Sequence, residues 1–384
     1  MKRRIETIWE SDEVAPSLLR AALTPLSLAF AGATRARTAL YERHFLSVSR
    51  APLPVVSIGN LRVGGSGKTP FAIWLAESAR AAGRQPAIVT RGYGGRERER
   101  PTLVVPRARL EETKGQLAST QTEIVPFDDA RDLPRDLADE ARLLALRTLV
   151  PVVVTPVRLQ GCEIAARIGC DLALLDDGFQ HRRLHRDIDI VLTASDDVHA
   201  RFLPAGPLRE GVRALGRADL VVATDARAPT GSCPSFRQRQ VAAGLVSEVS
   251  RAATLAPIET LRGREIVGVA GIARPERFLD LLDAAGAKHA CVPFLFRDHH
   301  AFDAGDLREI ARAAAGRYAV VTTEKDLVKL AGAAALSMPL LALRIDLELD
   351  DAEGLLRRVL ASLDASSSEP HHRPLARPGT ETKT

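Results

Sequence analysis

The sequence is poor in aromatic residues and in lysine. Aromatic residues fill 4% of the 384 positions, which leaves few side chains on which nucleic-acid bases could stack. Lysine occurs 7 times among 53 basic residues, so the net charge of +5 comes from arginine, and that small excess is weak evidence for an anionic partner. Hydrophobic residues account for 46% of the chain, which is typical of a globular protein, and the length favours two domains.

Cysteine is also scarce. None of the four cysteines forms a C-x-x-C pair, which excludes a zinc ribbon and a thioredoxin-type motif. Scattered thiols fit a reducing compartment. We therefore expect neither a metal nor a disulfide role for Cys162, Cys170, Cys233 and Cys291.

No apolar run is long enough for a membrane-spanning helix. The longest, Ser17–Ala33, has 17 residues and contains Arg20 and Pro25, whereas a span needs about 20 mostly apolar residues. Arg35, Arg37 and Arg43 follow it. An apolar helix beside basic residues is typical of a helix on an anionic membrane surface, but also of a helix packed on the protein's own core. The pattern alone leaves both interpretations open.

From residue 54, short apolar strands alternate with helical patterns. Continuous apolar strands of this kind predict an α/β fold, with a parallel sheet covered on both faces. The predicted strands are Pro54–Ile58, Pro86–Thr90, Val152–Thr155, Leu172–Leu175, Ile188–Leu192 and Leu220–Ala223. The predicted helices between them include Pro70–Ala82 and Leu137–Leu149.

A cluster of proline, glycine and serine at 227–236 predicts a domain boundary. A second α/β series follows, with strands at Glu265–Val269, Tyr318–Thr322 and Pro339–Leu343 and helices at Arg277–Ala285 and Asp306–Ala315. We therefore predict an N-terminal helical segment (1–50), a P-loop domain (51–228), a smaller α/β domain that closes a cleft (229–365) and a disordered tail (366–384).

The strongest motif is VVSIGNLRVGGSGKTP at residues 55–70. A buried strand leads into a glycine-rich loop, and a helix begins near Pro70, so backbone N–H groups and the helix N-terminus can surround phosphate oxygens. Lys68 would reach the β- and γ-phosphates of the nucleotide, and the Thr69 hydroxyl would bind Mg²⁺. The loop residues assigned to the nucleotide are Arg62, Val63, Gly64, Gly65, Ser66, Gly67, Lys68 and Thr69.

Details of this loop narrow the class of nucleotide-binding protein. Arg62 stands where a strict Walker A motif has glycine, and Val63 stands where partition and metallochaperone ATPases have an extra lysine. The segment 323–326 reads TEKD, which is not the N-K-x-D element that reads guanine. The sequence therefore favours ATP over GTP.

Two acids follow a predicted buried strand. Asp176 and Asp177 come directly after Leu172–Leu175, where a P-loop protein usually supplies a second Mg²⁺ contact. Successive side chains of a strand point to opposite sides, so the two carboxylates would face different neighbours. Asp-Asp-Gly is also ordinary turn chemistry. Given the loop upstream, we assign both acids, with Thr69, to the metal site.

Three further groups have more than one interpretation. Asp139-Glu140 begins a predicted helix, where acids compensate the helix dipole, although either could act as a base. Asp298-His299-His300 could act in acid–base chemistry or lie in a solvated loop. A rigid loop, LPAGPLRE at 203–210, could present Arg209 to a phosphate.

Taken in order, these motifs resemble the tetraacyldisaccharide 4'-kinase family, the lipid A kinases of Gram-negative bacteria. The resemblance spans roughly residues 50–345. The matching segments are IGNLRVGGSGKTP (58–70), TRGYGG (90–95), DE (139–140), VTPVR (154–158), LDDGFQHRRLHRDIDIVL (175–192), LPAGPLRE (203–210), FRDHHAF (296–302) and TTEKDLVKL (322–330). One departure is that Ala138 and Ala141 flank the acids where the family has glycine and proline.

The resemblance implies ATP-dependent, Mg²⁺-assisted phosphorylation of the 4'-hydroxyl of a tetraacylated glucosamine disaccharide 1-phosphate. It implies that Asp139 accepts the hydroxyl proton, in a dyad with His299 that domain closure would assemble. It also implies a monotopic anchor on the cytoplasmic face of the inner membrane. The further residues assigned to the nucleotide or its phosphates are Arg158, Gln180, Arg209 and Glu210.

Two alternatives are open at this stage. One is an energy-transducing or chaperone-like P-loop ATPase without a lipid acceptor. The other is a nucleic-acid-binding ATPase, which the arginines suggest but which the missing aromatic–basic strip argues against. We therefore expect a lipid A precursor and an anionic membrane surface as partners, and no nucleic acid.

Overall fold

The computed structural model describes residues 9, 14–65, 67–96, 99–289, 293–330 and 338–368. The helices in this part of the chain are α1 (Val14–Glu42), α2 (Lys68–Ala81), α3 (Leu110–Leu117), α4 (Asp139–Thr148), α5 (Arg158–Arg167), α6 (Pro275–Ala284), α7 (Ala304–Ala314), α8 (Glu324–Leu330) and α9 (Ala352–Ser368). The strands of its first half are β1 (Val55–Asn60), β2 (Pro86–Thr90), β3 (Thr102–Pro106), β4 (Glu123–Phe127), β5 (Val152–Val154), β6 (Leu172–Asp176), β7 (Ile188–Thr193) and β8 (Leu220–Ala223). Those of its second half are β9 (Ser235–Val246), β10 (Glu265–Ala270), β11 (Lys288–His289), β12 (Phe294–Leu295), β13 (Ala319–Thr323) and β14 (Leu340–Leu349).

All these strands belong to one sheet. Its order is β11-β10-β13-β14-β9-β8-β7-β1-β6-β2-β5-β3-β4, and β12 pairs with β10. The β9–β14 and β3–β5 pairs are antiparallel, and the other described pairs are parallel. The prediction of an α/β fold with a mainly parallel sheet is therefore confirmed.

The nine predicted strands lie within a few residues of observed ones. The structure adds strands and helices that the sequence patterns did not reveal, among them β3, β4, β9, α3, α5, α8 and α9. The predicted boundary at 227–236 runs into β9, whose first residues pair with β8 and whose remainder pairs with β14. The sheet is thus continuous across the boundary, and the division into two domains stays a prediction.

Strand β1 places the phosphate loop at the centre of the sheet. It pairs with β6 on one side and β7 on the other, so the chain leaves it in the region where an α/β sheet binds ligands, at the carboxyl ends of its strands. Helix α2 begins at Lys68, directly after the loop, with Pro70 in its first turn, where a missing N–H costs no hydrogen bond.

One buried cluster joins the two halves of the chain. Val56 and Ile58 of β1 share it with Leu327 of α8, and with Leu355 and Val359 of α9. The residues that follow β14 therefore complete the core beneath the phosphate loop. Helix α9 ends at Ser368 and so includes the first three residues of the predicted disordered tail; the rest of that tail lies outside the described residues.

Helix α1 lies against the loop at 201–209 and beside Gln180. Ser27 is buried and accepts a hydrogen bond from the Ala205 N–H, at 3.0 Å, and an Arg37 Nη2 donates to the Gln180 carbonyl. The opposite side exposes leucines, including Leu26. Within the described residues, no helix has the length and apolar character needed to cross a membrane.

Candidate active site

The phosphate loop is fastened by its first residues. The buried guanidinium of Arg62 donates to Asp197 Oδ1 and Asp196 Oδ2, both at 2.6 Å, and the Val63 N–H donates to the Pro207 carbonyl at 2.9 Å. These contacts occupy the Arg62 side chain and the Val63 amide, so in this conformation both anchor the loop to the polypeptide around it. Their assigned role at the nucleotide stays a prediction.

The later part of the loop is open to a ligand. Gly64 and Gly67 have positive φ angles of 101° and 79°, which glycine adopts without steric cost. Lys68 and Thr69 are the first residues of α2 and are only partly buried. Ser66 lies outside the described residues. A loop of this shape at a helix N-terminus can bind an anion through backbone N–H groups.

The two acids after β6 face different neighbours. Asp176 accepts a hydrogen bond from the Thr90 hydroxyl, at 3.1 Å, at the end of β2. Asp177 lies 3.4 Å from Lys68 Nζ and 2.6 Å from Arg209 Nη1. The second acid is therefore committed to cations of the protein, whereas the first has none within ion-pair distance among the described residues.

The pKa values of these two carboxylates are shifted in opposite directions by these neighbours. Burial raises the pKa of Asp176 to about 6, and the neighbouring charges of Glu140 and Asp177 act in the same direction. Burial also opposes ionisation of Asp177, but Lys68 and Arg209 outweigh it and lower its pKa to about 2. Asp176 therefore lies where a bound cation would relieve repulsion.

Other residues assigned to the nucleotide lie around this pair. Gln180 accepts from Arg209 Nη1 at 3.3 Å and donates to the Asn60 carbonyl at 2.9 Å. Arg158 is buried under β6, where one Nη2–H donates to the Asp176 carbonyl at 2.8 Å, and this burial lowers its pKa. Glu210 is turned toward Arg217, at 2.8 Å, in a buried ion pair.

The predicted dyad is assembled. Asp139, the first residue of α4, lies 2.9 Å from His299 Nδ1 through its Oδ1 atom. The Tyr93 ring packs edge-on against the imidazole, with ring centroids 5.6 Å apart. The sequence implied that domain closure would bring these two residues together; in this structure they are already in contact.

Several charged residues that the sequence interpretation left without a role surround the dyad. Lys325 Nζ lies 3.0 Å from both Glu140 Oε1 and Asp298 Oδ1, and 3.4 Å from His299 Nε2. Lys329 Nζ lies 3.6 Å from Asp139 Oδ2. Both lysines belong to the TTEKDLVKL segment, which matches the family pattern but for whose lysines the sequence predicts no role.

These lysines favour the ionised form of Asp139. Burial opposes the charge on Asp139, but its hydrogen bond to His299 and the charges of Lys325 and Lys329 outweigh burial, so its pKa lies far below the ordinary value. Burial likewise opposes the charge on Lys325, but Glu140 and Asp298 outweigh it and raise its pKa. At neutral pH, Asp139 is thus a carboxylate with a fixed cationic surrounding.

A second group of residues could bind a cation. Ligand atoms of Asp139, Glu140 and His299 all lie within 4.8 Å of one another. This set differs from the predicted one of Thr69, Asp176 and Asp177. The two sets are neighbours, because the charge of Glu140 acts on Asp176.

Comparisons with known proteins bear on this site. The model of the family described as tetraacyldisaccharide-1-P 4'-kinase matches residues 19–364. A tetraacyldisaccharide 4'-kinase of Anaeromyxobacter dehalogenans strain 2CP-C is 39% identical over 384 residues, which cover 93% of this chain and 94% of the relative. The enzyme of the same name from Vibrio campbellii is 32% identical over 360 residues, or 92% and 96% of the two chains. A crystal structure of LpxK from Aquifex aeolicus in complex with ATP superposes with a TM-score of 0.69, at 28% identity, and covers 90% of this chain and 99% of that one.

Proposed function

The chain belongs to the tetraacyldisaccharide-1-P 4'-kinase family, and we propose that its Asp139–His299 pair activates the acceptor hydroxyl while Lys68 and the phosphate loop bind ATP. It is a kinase that phosphorylates the 4'-position of a lipid A disaccharide precursor at the expense of ATP. An ATPase without a lipid acceptor is not favoured. What remains to be assigned is the role of each residue.

The observation that carries the assignment is the Asp139–His299 hydrogen bond of 2.9 Å. The neighbour of Asp139 in sequence, Glu140, acts electrostatically on Asp176, and Asp177 contacts Lys68. A continuous line of acids therefore runs from the phosphate loop to the dyad. A hydroxyl placed at Asp139 would lie beside the phosphates that Lys68 binds, which is the positioning that phosphoryl transfer requires.

The second oxygen of Asp139 is available to that hydroxyl. Asp139 Oδ1 is bonded to His299, whereas Oδ2 is buried and has no hydrogen-bond partner among the described residues; Lys329 stands 3.6 Å away. With Oδ1 as acceptor, His299 Nδ1 carries the proton of that bond. The acceptor hydroxyl donates to Oδ2 and passes its proton there as its oxygen bonds to the γ-phosphorus of ATP and the bond from that phosphorus to the bridging oxygen breaks, which releases ADP. A weakly basic carboxylate suffices, because the hydroxyl becomes strongly acidic only late in a loose transition state.

Mg²⁺ would bind at Asp176 rather than Asp177. Its carboxylate is a hard oxygen ligand that forms no ion pair with a described cation, and the charges of Glu140 and Asp177 outweigh those of Lys68 and Arg158 there; Thr69 offers a hydroxyl at the start of α2. Asp177 is instead held by Lys68 and Arg209. When bound, the ion would neutralise charge that develops on the transferred phosphoryl group. Arg209 and Gln180 then orient Asp177 and Lys68.

The membrane-facing element in this proposal is α1. Its exposed leucines and the exposed guanidinium groups of Arg35, Arg37 and Arg43 would rest on an anionic bilayer, at the cytoplasmic face of the inner membrane, where a lipid acceptor can enter the site without leaving the bilayer. Residues 51–228 and 229–365 would then form the two sides of the cleft.

The decisive experiment uses γ-labelled ATP and the tetraacylated disaccharide 1-phosphate, with label measured in the lipid phase. The Asp139→Asn variant should lower kcat by at least about 10²-fold, the scale of a general base, and should leave ATP affinity near that of the wild type. Asp128→Asn, at an exposed ion pair, is the control and should retain activity. Near-normal turnover by Asp139→Asn would remove Asp139 from the role of base.

A further inference from the structure

Strand β9 brings two glutamines against the phosphate loop. A Cβ atom added to Gly67 would lie 2.5 Å from Gln240 Nε2 and 3.0 Å from Gln238 Nε2. The two residues are two apart on one strand, so their side chains share a face of the sheet. The loop that receives phosphate is therefore lined on this side by carboxamides from the strand that connects β8 with β14.

Gln238 is the unusual member of the pair. It is 5% exposed, and neither Oε1 nor Nε2 has a hydrogen-bond partner among the described residues. Gln240, by contrast, is exposed. Buried side-chain amides are nearly always hydrogen-bonded, because an unsatisfied one forfeits its bonds to water without replacement.

The loop backbone does not remove this deficit. The Gly67 carbonyl already accepts from the Phe71 N–H of α2, at 3.2 Å. The groups that a phosphate loop offers in general are N–H donors, which could satisfy Oε1 but not the NH₂ group. Among the described residues, Nε2 thus has no acceptor, and a phosphate oxygen bound at the loop would supply one.

We propose that Gln238 is a nucleotide-binding residue, whose NH₂ group donates to a phosphate oxygen of bound ADP or ATP while Oε1 accepts from the loop. This inference rests on the proposed nucleotide site. It adds a contact from β9, beyond the glycine-rich segment, to the part of the nucleotide that stays bound after transfer.

The test replaces the carboxamide with an apolar side chain of similar length, Gln238→Met. Calorimetric titration with Mg²⁺ and ADP should show at least about tenfold weaker binding, since hydrogen bonds to charged groups are the stronger class. Gln238→Glu, which places a carboxylate against phosphate, should weaken ADP binding further. Gln116→Met, at an exposed residue whose carboxamide pairs with Glu112 in α3, should bind ADP like the wild type.

Thermal unfolding without ligand separates this role from a structural one. Because the Gln238 carboxamide has no hydrogen-bond partner among the described residues, Gln238→Met should unfold at the same temperature as the wild type or higher. A marked loss of stability in the free variant, or unchanged affinity for ADP, would overturn the proposal. Neither measurement needs the lipid, so failure of label transfer by the wild type would contradict the proposed kinase reaction without touching this result.

Discussion

At the residue scale, burial and neighbouring charge shift the pKa values of chemically identical side chains in opposite directions. Asp176 and Asp177 are adjacent in the chain, yet the pKa of the first is raised to about 6 and that of the second is lowered to about 2. The difference arises because Lys68 and Arg209 form ion pairs with Asp177, whereas burial and the charges of Glu140 and Asp177 dominate at Asp176. Two equal carboxylates thereby differ in charge preference: Asp177 is an anion paired with the loop lysine, and Asp176 lies in a repulsive field that a bound cation would relieve.

The lowered pKa of His181 should make the stability of the protein depend on pH. Burial, followed by the cations Arg158 and Arg186, lowers its pKa from 6.5 to about 4. The folded protein therefore binds fewer protons than the unfolded chain between these values, so the stability from this group is present above about pH 6.5 and is lost as pH falls toward 4. We expect the unfolding temperature of His181→Gln to decline less steeply than that of the wild type across this range.

The comparison needs a histidine variant without such surroundings. His199→Gln, at an exposed position, should follow the wild-type curve. Parallel curves for wild type and His181→Gln would show that His181 titrates alike in the folded and unfolded chains, contrary to this expectation.

Sequence patterns could identify only part of the site at this scale. The phosphate loop and the Asp176–Asp177 pair can be recognised from the sequence. Each follows directly after an apolar strand, the first as a glycine-rich segment and the second as two adjacent acids. Lys325 and Gln238 do not, since each reaches the site from a distant part of the chain and neither has a local pattern that differs from an ordinary surface residue. Their roles depend on tertiary contacts, which spacing cannot show.

At the element scale, two of the missed strands lack the pattern by which buried strands are recognised. β9 begins SFRQRQ, in which Phe236 is the one apolar residue, directly after a Pro/Gly-rich segment, and β4 carries a proline within EIVPF. Both depart from the apolar runs by which buried parallel strands are recognised. Strands that were predicted, such as β1 and β6, are largely apolar because they are buried on both faces of the sheet.

Helix α1 separates two surfaces, and its outer one can be tested. Leu19 and Leu26 are seven residues apart, thus on one face of the helix, and are 43% and 59% exposed. The double variant Leu19→Glu/Leu26→Glu should reduce binding to vesicles that contain anionic lipid by at least about tenfold, because each buried leucine contributes about 1.5–3 kcal/mol. Co-sedimentation with the vesicles measures it.

The matched control is Leu255→Glu, a leucine that is also 43% exposed but lies outside α1. It should leave vesicle binding unchanged. Undiminished binding by the α1 double variant would place the membrane contact on another surface.

At the scale of the whole molecule, ion pairs between α4 and α8 join the two halves of the chain. Arg147 Nη1 lies 2.5 Å from Glu324 Oε2, and both side chains are buried; the adjacent Lys325 pairs with Glu140 at the other end of α4. Asp139 begins α4, and Lys325 belongs to α8. The two ion pairs between these helices therefore hold the Asp139 carboxylate near the lysines of α8.

We therefore expect Arg147→Met to lower the free energy of unfolding substantially. It leaves the Glu324 carboxylate buried with only a distant cation, Arg344 at 3.9 Å, and breaking a buried pair typically costs about 3–5 kcal/mol. Denaturant unfolding measures the difference. The matched control is Arg239→Met, whose ion pair with Glu348 has a similar length, 2.6 Å, but is exposed, and should cost under about 1 kcal/mol. Equal losses in the two variants would contradict the importance of burial here.

Helix α9 packs on the core of the phosphate-loop half but is translated long after that half. Leu355, Val359 and Leu363 belong to the buried cluster that contains Ile58 and Phe71, nearly 300 positions earlier in the chain. While a ribosome is still translating the intervening segment, α2 lacks only the part of its apolar cover that α9 supplies. The nascent nucleotide-binding half therefore completes its core only after almost the entire polypeptide has been made, and until then it exposes the apolar surface that α9 later covers.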